Sequence, residues 1–435
     1  MKSILYRIII ITIILCFSCS CGNADTITVV STYDYESAAA TISQASGLDV
    51  TAEFLKKNFE KKEIRQLVSA ADSGEYTQKI WLEVTGYSYY VISDMIKGVQ
   101  GAQNITNYGS NGKSTVSISV AGDITFAPER PVMLHAAENG GVLKCFDKSL
   151  VRQVKASDIF LLNCETAISE IGEPIADKAW TFRSHPESIG FLHELGVDVV
   201  SLANNHVYDY GEAAFADTMQ NLKNAGMPYV GAGMNLVEAV NGHYFIVNGI
   251  KIGIVAASRA EKYYMTPVAT FAAPGIMGTY DSEDFLESIK IARQRCDFLI
   301  AYVHWGTEYS KELDEAQKTM SREYIEAGAD AVIGAHPHCL QGMEFYNGAP
   351  IIYSLGNFWF NDKTLDSGIV TLEIDKDMNL KVEFTPLLQD SCETKLVTKR
   401  KERRALFDRI ESYEPQGVVI SNDGEVTPSG SVAEP

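Results

Sequence analysis

The chain has 435 residues, of which 46% are hydrophobic and 21% are charged, and its formal net charge is −19. This length is sufficient for a large hydrophobic core and for more than one folded unit. The excess of acidic residues argues against a nucleic-acid partner, because that class of protein needs a basic surface. It also disfavours diffuse binding of an anionic polymer, unless a local cation offsets the negative field.

The first 24 residues have the pattern of an export signal. Lys2 and Arg7 precede the apolar run Ile8–Leu15, and small residues follow. The run is shorter than a membrane-spanning helix requires. A cysteine after a small residue is typical of a bacterial lipoprotein and predicts lipidation of Cys19 or Cys21, although neither has the expected leucine three residues earlier. A cleaved soluble signal and an uncleaved anchor are the alternatives.

Residues 25–110 are predicted to form a separate, mainly helical segment of unknown role. Glu53–Ala71 is rich in Lys, Glu, Leu and Ile, and Trp81–Val99 is apolar and aromatic, so both are predicted to be helical. The polar, glycine-rich stretch Asn104–Ser114 is typical of a linker. Its Gly-Lys-Ser lacks the first glycine of a phosphate-binding loop, and no strand precedes it, so that motif is not predicted here.

From residue 115 onward, short β-branched runs alternate with amphipathic stretches, which predicts an α/β fold with buried strands. The predicted strands are 115–121, 159–162, 197–202, 298–303, 331–334 and 350–354. The predicted helices are 186–195, 211–225, 283–295 and 314–327. Two hairpins add to them, 244–247 with 250–256 around an Asn-Gly turn, and 369–374 with 380–384.

The C-terminal part, 391–435, is predicted to hold a basic helix over 395–409 and a disordered tail over 415–435. Five cysteines follow the signal segment, and none forms a Cys-x-x-Cys pair. Most of them are predicted to be buried small apolar residues; the five are Cys145, Cys164, Cys296, Cys339 and Cys392.

Each strand-like run from 115 to 354, the first hairpin apart, ends in potential ligands. In open α/β sheets, sites form outside the carboxyl ends of the strands, so these side chains are expected to converge. The candidates are Asp123, Glu165, Asn205, His206, His304, His336 and His338. Carboxylates, an amide oxygen and imidazoles form a mixed oxygen and nitrogen set that suits zinc, manganese or iron, as one or two ions.

Each candidate has a structural alternative. Asp123 could cap a turn, Glu165 could pair with a surface cation, and His304 could pack beside Trp305. Two residues next to Asn205 and His206 also have structural interpretations. Asn204 is predicted to occupy a left-handed turn position, and Asp209 either caps the next helix or orients His206. Weaker candidates for contact with a substrate are Glu308, Gln341 and Asn357.

Six motifs in order resemble those of the bacterial CapA family of capsule, or poly-gamma-glutamate, synthesis proteins. The motifs are Gly122-Asp123, Asn163–Glu165, Ala203–Gly211, His304–Tyr309, Gly334–His338 and Tyr353–Phe358. The resemblance covers about 115–390. That family is in turn similar to calcineurin-like metallophosphoesterases, which implies a two-sheet sandwich flanked by helices with a two-metal site at the strand ends.

By this resemblance the ligands divide between two metals. Asp123 and His338 would bind the first metal, and Glu165 would take the place of a bridging carboxylate. The second metal would be completed by Asn205, His304 and His336. His206 would be the acid that stabilises or protonates the leaving group.

Two departures from the phosphoesterase pattern bear on the metal count. Thr125 stands where an imidazole ligand is usual, and Glu165 is longer than the usual aspartate. Both changes favour one firmly held metal over a tight pair.

Two functions are compatible with the sequence. The first is a metal-dependent hydrolase of a phosphoester or of an amide-linked polymer such as poly-gamma-glutamate. The second is a non-catalytic subunit that binds or tethers the polymer for a membrane synthase. Both predict an exported protein at the cell surface, held to the membrane by a lipid anchor.

Overall fold

The computed structural model describes residues 34–74, 79–85, 92, 96, 104–261 and 265–430. Their α-helices include Tyr35–Ser46, Ala52–Asn58, Lys61–Ser73, Lys79–Thr85, Pro131–Glu138, Lys148–Val154, Ile189–Leu195, Gly211–Asn224, Leu236–Ala239, Glu283–Arg293, Glu315–Ala327 and Arg400–Ser412, with 3-10 turns at Val142–Cys145 and Pro186–Ser188.

The strands, numbered in chain order, are β1 Ile105–Gly109, β2 Thr115–Ile124, β3 Ile159–Cys164, β4 Ala167–Ile168, β5 Arg183–Ser184, β6 Val199–Ser201, β7 Tyr229–Val230, β8 Ala232–Gly233, β9 His243–Val247, β10 Ile250–Ser258, β11 Gly275–Ile276, β12 Phe298–His304, β13 Ala331–Ala335, β14 Met343–Tyr346, β15 Ala349–Ile352, β16 Asn357–Trp359, β17 Leu365–Asp375, β18 Leu380–Asp390, β19 Glu393–Leu396, β20 Val418–Ile420 and β21 Val426–Pro428.

Most of these strands form two large sheets. The first has the order β19-β18-β17-β2-β3-β6-β7, with β16 also paired to β2, and the second has the order β1-β9-β10-β12-β13-β15-β14. Strands β2, β3, β6 and β7 are parallel, and so are β10, β12, β13 and β15. Parallel strands place their carboxyl ends at one edge of each sheet, which is where the polar residues lie.

The alternation of side chains along the strands produces the layers. Ile159 and Leu161 of β3 share one core with Ile300 and Tyr302 of β12, so the two sheets pack against each other. The intervening residues point to the opposite faces and are covered by helices, 148–154, 189–195 and 211–224 on the first sheet and 283–293 and 315–327 on the second. The predicted α/β two-sheet sandwich flanked by helices is confirmed.

The N-terminal helices have a core of their own, which includes Ile42, Leu55 and Trp81. The stretch predicted as one helix over 53–71 is two, because the chain breaks at Phe59 and Glu60 starts a new helix with a capping box. The helix Lys79–Thr85 opens the second predicted helical stretch, 81–99. Of that stretch, 86–91, 93–95 and 97–99 lie outside the described residues.

The predicted export signal and both candidate lipidation residues, Cys19 and Cys21, also lie outside the described residues. Within the described ranges, no helix combines the length and the apolar character needed to cross a membrane.

The predicted linker 104–114 is wrong for its first half, which is the edge strand β1. It pairs in parallel with β9. The Tyr108 hydroxyl donates to Asp198 Oδ1 at 2.5 Å, and the backbone amide of Asn111 donates to Asn248 Oδ1 at 2.9 Å. The segment is polar because it lies at a sheet edge, where the solvent-facing side of a strand needs no apolar residues.

The predicted disorder over 415–435 is wrong for most of that stretch. Strands β20 and β21 pair antiparallel, and Val418, Ile420 and Val426 are buried in the core between the sheets. The helix Arg400–Ser412 buries Leu406 and Phe407 in the same core, so the predicted basic helix is present with a shifted start. Residues 431–435 lie outside the described part of the chain.

Both predicted hairpins are confirmed, as β9 with β10 and β17 with β18. Asn248 and Gly249 have φ values of 53° and 80°, the left-handed geometry that an Asn-Gly turn supplies. The five cysteines that follow the predicted signal are free and buried, as predicted.

Candidate active site and metal centre

The predicted ligands come together at the edge shared by the two sheets. Strands β2 and β3 bring Asp123 and Glu165 from the first sheet, and β12 and β13 bring His304 and His336 from the second. These side chains are buried, each with 5% or less of its surface exposed. The remaining predicted ligands, Asn205 and His338, are equally buried beside them. Burial of two carboxylates is costly unless cations or hydrogen-bond donors neutralise them.

Two groups of ligand atoms could each hold a metal ion. Asp123, Glu165 and His338 form the first group, and Glu165, His304 and His336 form the second, with the ligand atoms of each group within 4.8 Å of one another. Glu165 belongs to both groups. It is the residue to which the family resemblance assigned the bridging position, and that role stays a prediction.

The second group is extended by an amide oxygen. Asn205 Oδ1 lies 2.8 Å from His304 Nε2, and His336 Nδ1 lies 3.0 Å from the same nitrogen. Glu165 Oε1 lies 3.5 Å from it and accepts no hydrogen bond, although it is fully buried. Four atoms of the types that divalent metals bind thus lie close together around His304 Nε2, and an unsatisfied carboxylate oxygen is among them. The residues present fit a divalent metal.

The ionisation of these groups also favours ligand roles. Burial raises the pKa of Glu165, but the adjacent His304 and His338 outweigh it and hold that pKa below its usual range, so the carboxylate is charged. Burial, reinforced by His304, lowers the pKa of His336 well below its ordinary value, which leaves the neutral imidazole that a metal binds. For His338, burial lowers the pKa but Glu165 and Asp123 raise it to about 9, so a metal has to displace a proton there.

His206 lies at the outer side of the second group. Its Nε2 is 3.9 Å from Glu165 Oε1, and its Nδ1 is 2.7 Å from Asp209 Oδ2. Tyr210, not Asp209, occupies the cap position of the next helix, and no side chain caps that helix. The sequence left open whether Asp209 caps the next helix or contacts His206. In the structure it contacts His206 and does not cap the helix.

Lys178 extends this pair, and nothing in the sequence pointed to it. Its buried ammonium lies 2.8 Å from Asp209 Oδ1 and 3.0 Å from Glu261 Oε1, and it donates to the carbonyl oxygen of Asn205. Thr266 donates to the same carbonyl at 3.0 Å. Lys178 lies in an irregular loop without periodicity, so no sequence pattern could have singled it out.

Asn163 is a second residue whose role the sequence did not reveal. Its Nδ2 donates to Asp123 Oδ1 at 2.8 Å and lies 3.2 Å from His304 Nδ1. Its Oδ1 accepts from Asn204, whose own Oδ1 accepts from the backbone amides of His206 and Val207. The left-handed turn predicted for Asn204 is wrong, because its φ is not positive. The two amides instead connect the ends of β3 and β6.

The weaker candidates fall in different places. Asn357 Oδ1 lies 2.8 Å from His338 Nδ1, which puts this residue next to the first ligand group. Gln341 is fully buried. Its side-chain oxygen accepts from Gln317 and its side-chain nitrogen donates to the carbonyl oxygens of residues 310 and 312, so this side chain stabilises the loop. Glu308 is exposed. Thr125 is buried, and its hydroxyl accepts from the backbone amide of Ala127 at 3.4 Å.

Residues 117–362 match the family described as bacterial capsule synthesis protein PGA_cap. The match covers more than half of the chain and contains every candidate ligand. The chain belongs to this family.

The chain is also similar to two CapA proteins from Bacillus. The chain is 33% identical over 239 residues to the PGA biosynthesis protein CapA of Bacillus subtilis (strain 168), covering 54% of this chain and 62% of the relative. It is 30% identical over 253 residues to the capsule biosynthesis protein CapA of Bacillus anthracis, covering 57% and 61%. The chain thus spans somewhat less than two thirds of the length of these relatives.

The chain is also similar to two solved structures, each with a sequence identity of 15% or less. A hypothetical protein from Thermus thermophilus has a TM-score of 0.39, with 63% of this chain and 100% of that chain covered. The 5'-nucleotidase from Candida albicans has a TM-score of 0.36, with 62% and 50% covered. Similarity at this level carries no argument about the function of the PGA_cap chain.

Proposed function

We propose that this chain is a metal-dependent hydrolase of the cell envelope that cleaves an amide or phosphoester bond in an anionic capsule polymer such as poly-gamma-glutamate. The observation that carries the proposal is the orientation of His206. Its Nδ1 is fixed by Asp209 at 2.7 Å, and its Nε2 is left facing Glu165 and the ligand groups. A site that only binds a polymer has no need of such an oriented proton donor.

The candidate ligands divide by position. Asp123, Glu165 and His338 would hold one ion, and Glu165 with Asn205, His304 and His336 would hold the other. A divalent metal held there supplies a Lewis acid and lowers the pKa of a bound water toward neutrality.

The chain's own residues supply the proton. His206 in its charged form donates from Nε2 to the leaving nitrogen or oxygen, since Nδ1–H is already committed to Asp209. Asp209 keeps the ring in the orientation that this transfer needs, and Lys178 holds the second carboxylate oxygen of Asp209. Phe182 stacks on the His206 ring at 4.1 Å, which covers one face of the acid and excludes water from it.

Family membership supports the substrate class. The relatives in Bacillus are described as proteins of PGA or capsule biosynthesis. An acidic chain needs a local cation to hold an anionic polymer, and metal ions at the buried carboxylates would provide it. Lipid anchoring at Cys19 or Cys21 and association with a membrane synthase complete the proposal.

Purified protein loaded with Mn²⁺ and incubated separately with poly-gamma-glutamate and with aryl phosphates tests this function. Shortening of the polymer or release of phosphate, abolished by Asp123→Ala and His206→Ala, is expected. Saturable polymer binding without any product from either substrate would contradict hydrolysis and support the tethering alternative.

A further inference from the structure

An aromatic shelf, formed by Phe182 and Phe360, lies against the outer side of the ligand groups. The Phe182 ring stacks on His206 at 4.1 Å between ring centroids, and the Phe360 ring lies 4.4 Å from that of His338. The two phenylalanines contact each other edge to face at 5.6 Å. The shelf therefore touches both the proposed acid and a proposed ligand of the first group.

Arg130 lies on this shelf. Its guanidinium carbon is 4.9 Å from the centroid of Phe182 and 5.8 Å from that of Phe360. It is also 6.0 Å from the ring of Trp180, which is 66% exposed. The cation thus lies between the shelf and an edge that opens to solvent.

Packing against rings uses the faces of the guanidinium and leaves its two terminal nitrogens as the donors that a substrate can reach. Nε of Arg130 is buried and donates no hydrogen bond, and within the described ranges the guanidinium forms no ion pair with a carboxylate. A guanidinium carries five N–H donors in a planar fork that matches a carboxylate or phosphate. In a chain of net charge −19, a half-buried arginine without an acidic partner is a ready site for an anion.

A second cation flanks His338 from another side. Lys363 Nζ lies 3.5 Å from the centroid of the Tyr309 ring, and that ring lies 5.7 Å from the ring of His338. The ammonium of Lys363 has no carboxylate contact among the residues that the structure describes. Arg130 and Lys363, each packed on an aromatic ring, therefore flank the same site. This arrangement suits a substrate with more than one negatively charged group.

We propose that Arg130 binds an oxyanion of the substrate next to the bond that is cleaved, and that Lys363 receives a further anionic group of the same molecule. The inference rests on the proposed hydrolase function and names the part of the substrate that the site recognises. In an amide-linked polyglutamate the oxyanion is the carboxylate of a neighbouring repeat, and in a phosphoester it is a phosphate oxygen pair.

The test compares wild-type protein with three variants, each loaded with Mn²⁺. Arg130→Met keeps the contact with the rings and loses the charge, Arg130→Lys restores the charge, and Arg400→Gln removes one positive charge from the exposed start of the C-terminal helix. Each protein is titrated calorimetrically with short glutamate oligomers and with phenyl phosphate, and turnover of both is followed. Thermal unfolding checks that every variant is folded.

Arg130→Met is expected to weaken binding and raise KM by about 10-fold or more, the effect of one charge-assisted hydrogen-bonded contact. Arg130→Lys is expected to recover part of the loss, and Arg400→Gln to match wild type. An effect with the oligomers alone assigns a carboxylate, and an effect with phenyl phosphate alone assigns a phosphate. Unchanged binding and KM in a folded Arg130→Met protein would overturn this inference while leaving the hydrolase intact. Wild-type protein that neither binds nor cleaves either substrate would overturn both.

Discussion

Asp209 Oδ2 lies 2.7 Å from His206 Nδ1, and this contact fixes which nitrogen of the ring is free to act. His206→Asn is expected to lower kcat by about 100-fold, the usual effect of removing a general acid. The loss should be large for substrates whose leaving group must be protonated and small for activated aryl esters, because those leave without a proton.

Asp209→Asn should show the same dependence on the leaving group with a smaller loss, since the acid remains but is less well oriented. Metal content measured in both variants is the control and is expected to equal that of wild type. An equal loss of kcat for activated and unactivated substrates would rule out proton donation by His206.

Asn163 Nδ2 donates to Asp123 at 2.8 Å from a fully buried position. Asn163→Ala is expected to lower the free energy of unfolding by about 1–3 kcal/mol, because it leaves buried groups without partners. It should also weaken Mn²⁺ binding by about 10-fold or more, since partners of ligands hold them in place. Asn221→Ala, which removes a partly buried amide on the helix Gly211–Asn224, is the matched control and should leave the metal affinity unchanged. Equal Mn²⁺ affinity in both variants would contradict the role of Asn163.

The site residues at the strand ends were predictable from the sequence because each buried apolar run is followed by a polar side chain. Parallel strands bring these polar side chains to the same edge of the sheet. Asp123, Glu165 and His336 follow that rule. Lys178 and Arg130 do not, because they lie in connecting segments whose path is set by tertiary contacts. The edge strand β1 and the pair β20 with β21 were missed for a related reason, since short edge strands are polar on one side and lack a clear apolar pattern.

The contribution of β1 can be measured by truncation. A chain that begins at residue 113 loses the pairing of β1 with β9 and the bond from Tyr108 to Asp198. It is expected to be less stable in urea, by about 2 kcal/mol or more, than a chain that begins at residue 104, because several backbone hydrogen bonds are lost. Identical stability of the two truncated chains would show that β1 is dispensable.

His243 gives the chain a defined sensitivity to acid. Burial lowers the pKa of His243 to about 3, and its Nε2 lies 2.9 Å from the Thr106 hydroxyl. The unfolded chain, with the ordinary histidine value of about 6.5, binds a proton that the folded chain does not bind between these two pKa values. Stability is therefore lost as the pH falls through this window, by about 1 kcal/mol between pH 6 and pH 5.

His243→Gln keeps a hydrogen-bonding group and removes the titration. The difference in unfolding free energy between wild type and this variant should shrink by that amount over the same pH interval, measured in urea. Parallel pH dependences would mean that the pKa of His243 is the same in the folded and the unfolded chain.

The proposed metal centre depends on Glu165, the carboxylate that belongs to both ligand groups. The decisive measurement is the number of Mn²⁺ ions retained per chain after loading and dialysis, counted by elemental analysis for wild type, Glu165→Gln and the control Glu344→Gln, which alters a buried carboxylate outside the site. Retention of one or two ions per chain in wild type and in Glu344→Gln, with the amount reduced in Glu165→Gln, is the predicted result, because both ligand groups contain Glu165. No retained metal, or a retained ion that is indifferent to Glu165→Gln, would contradict it.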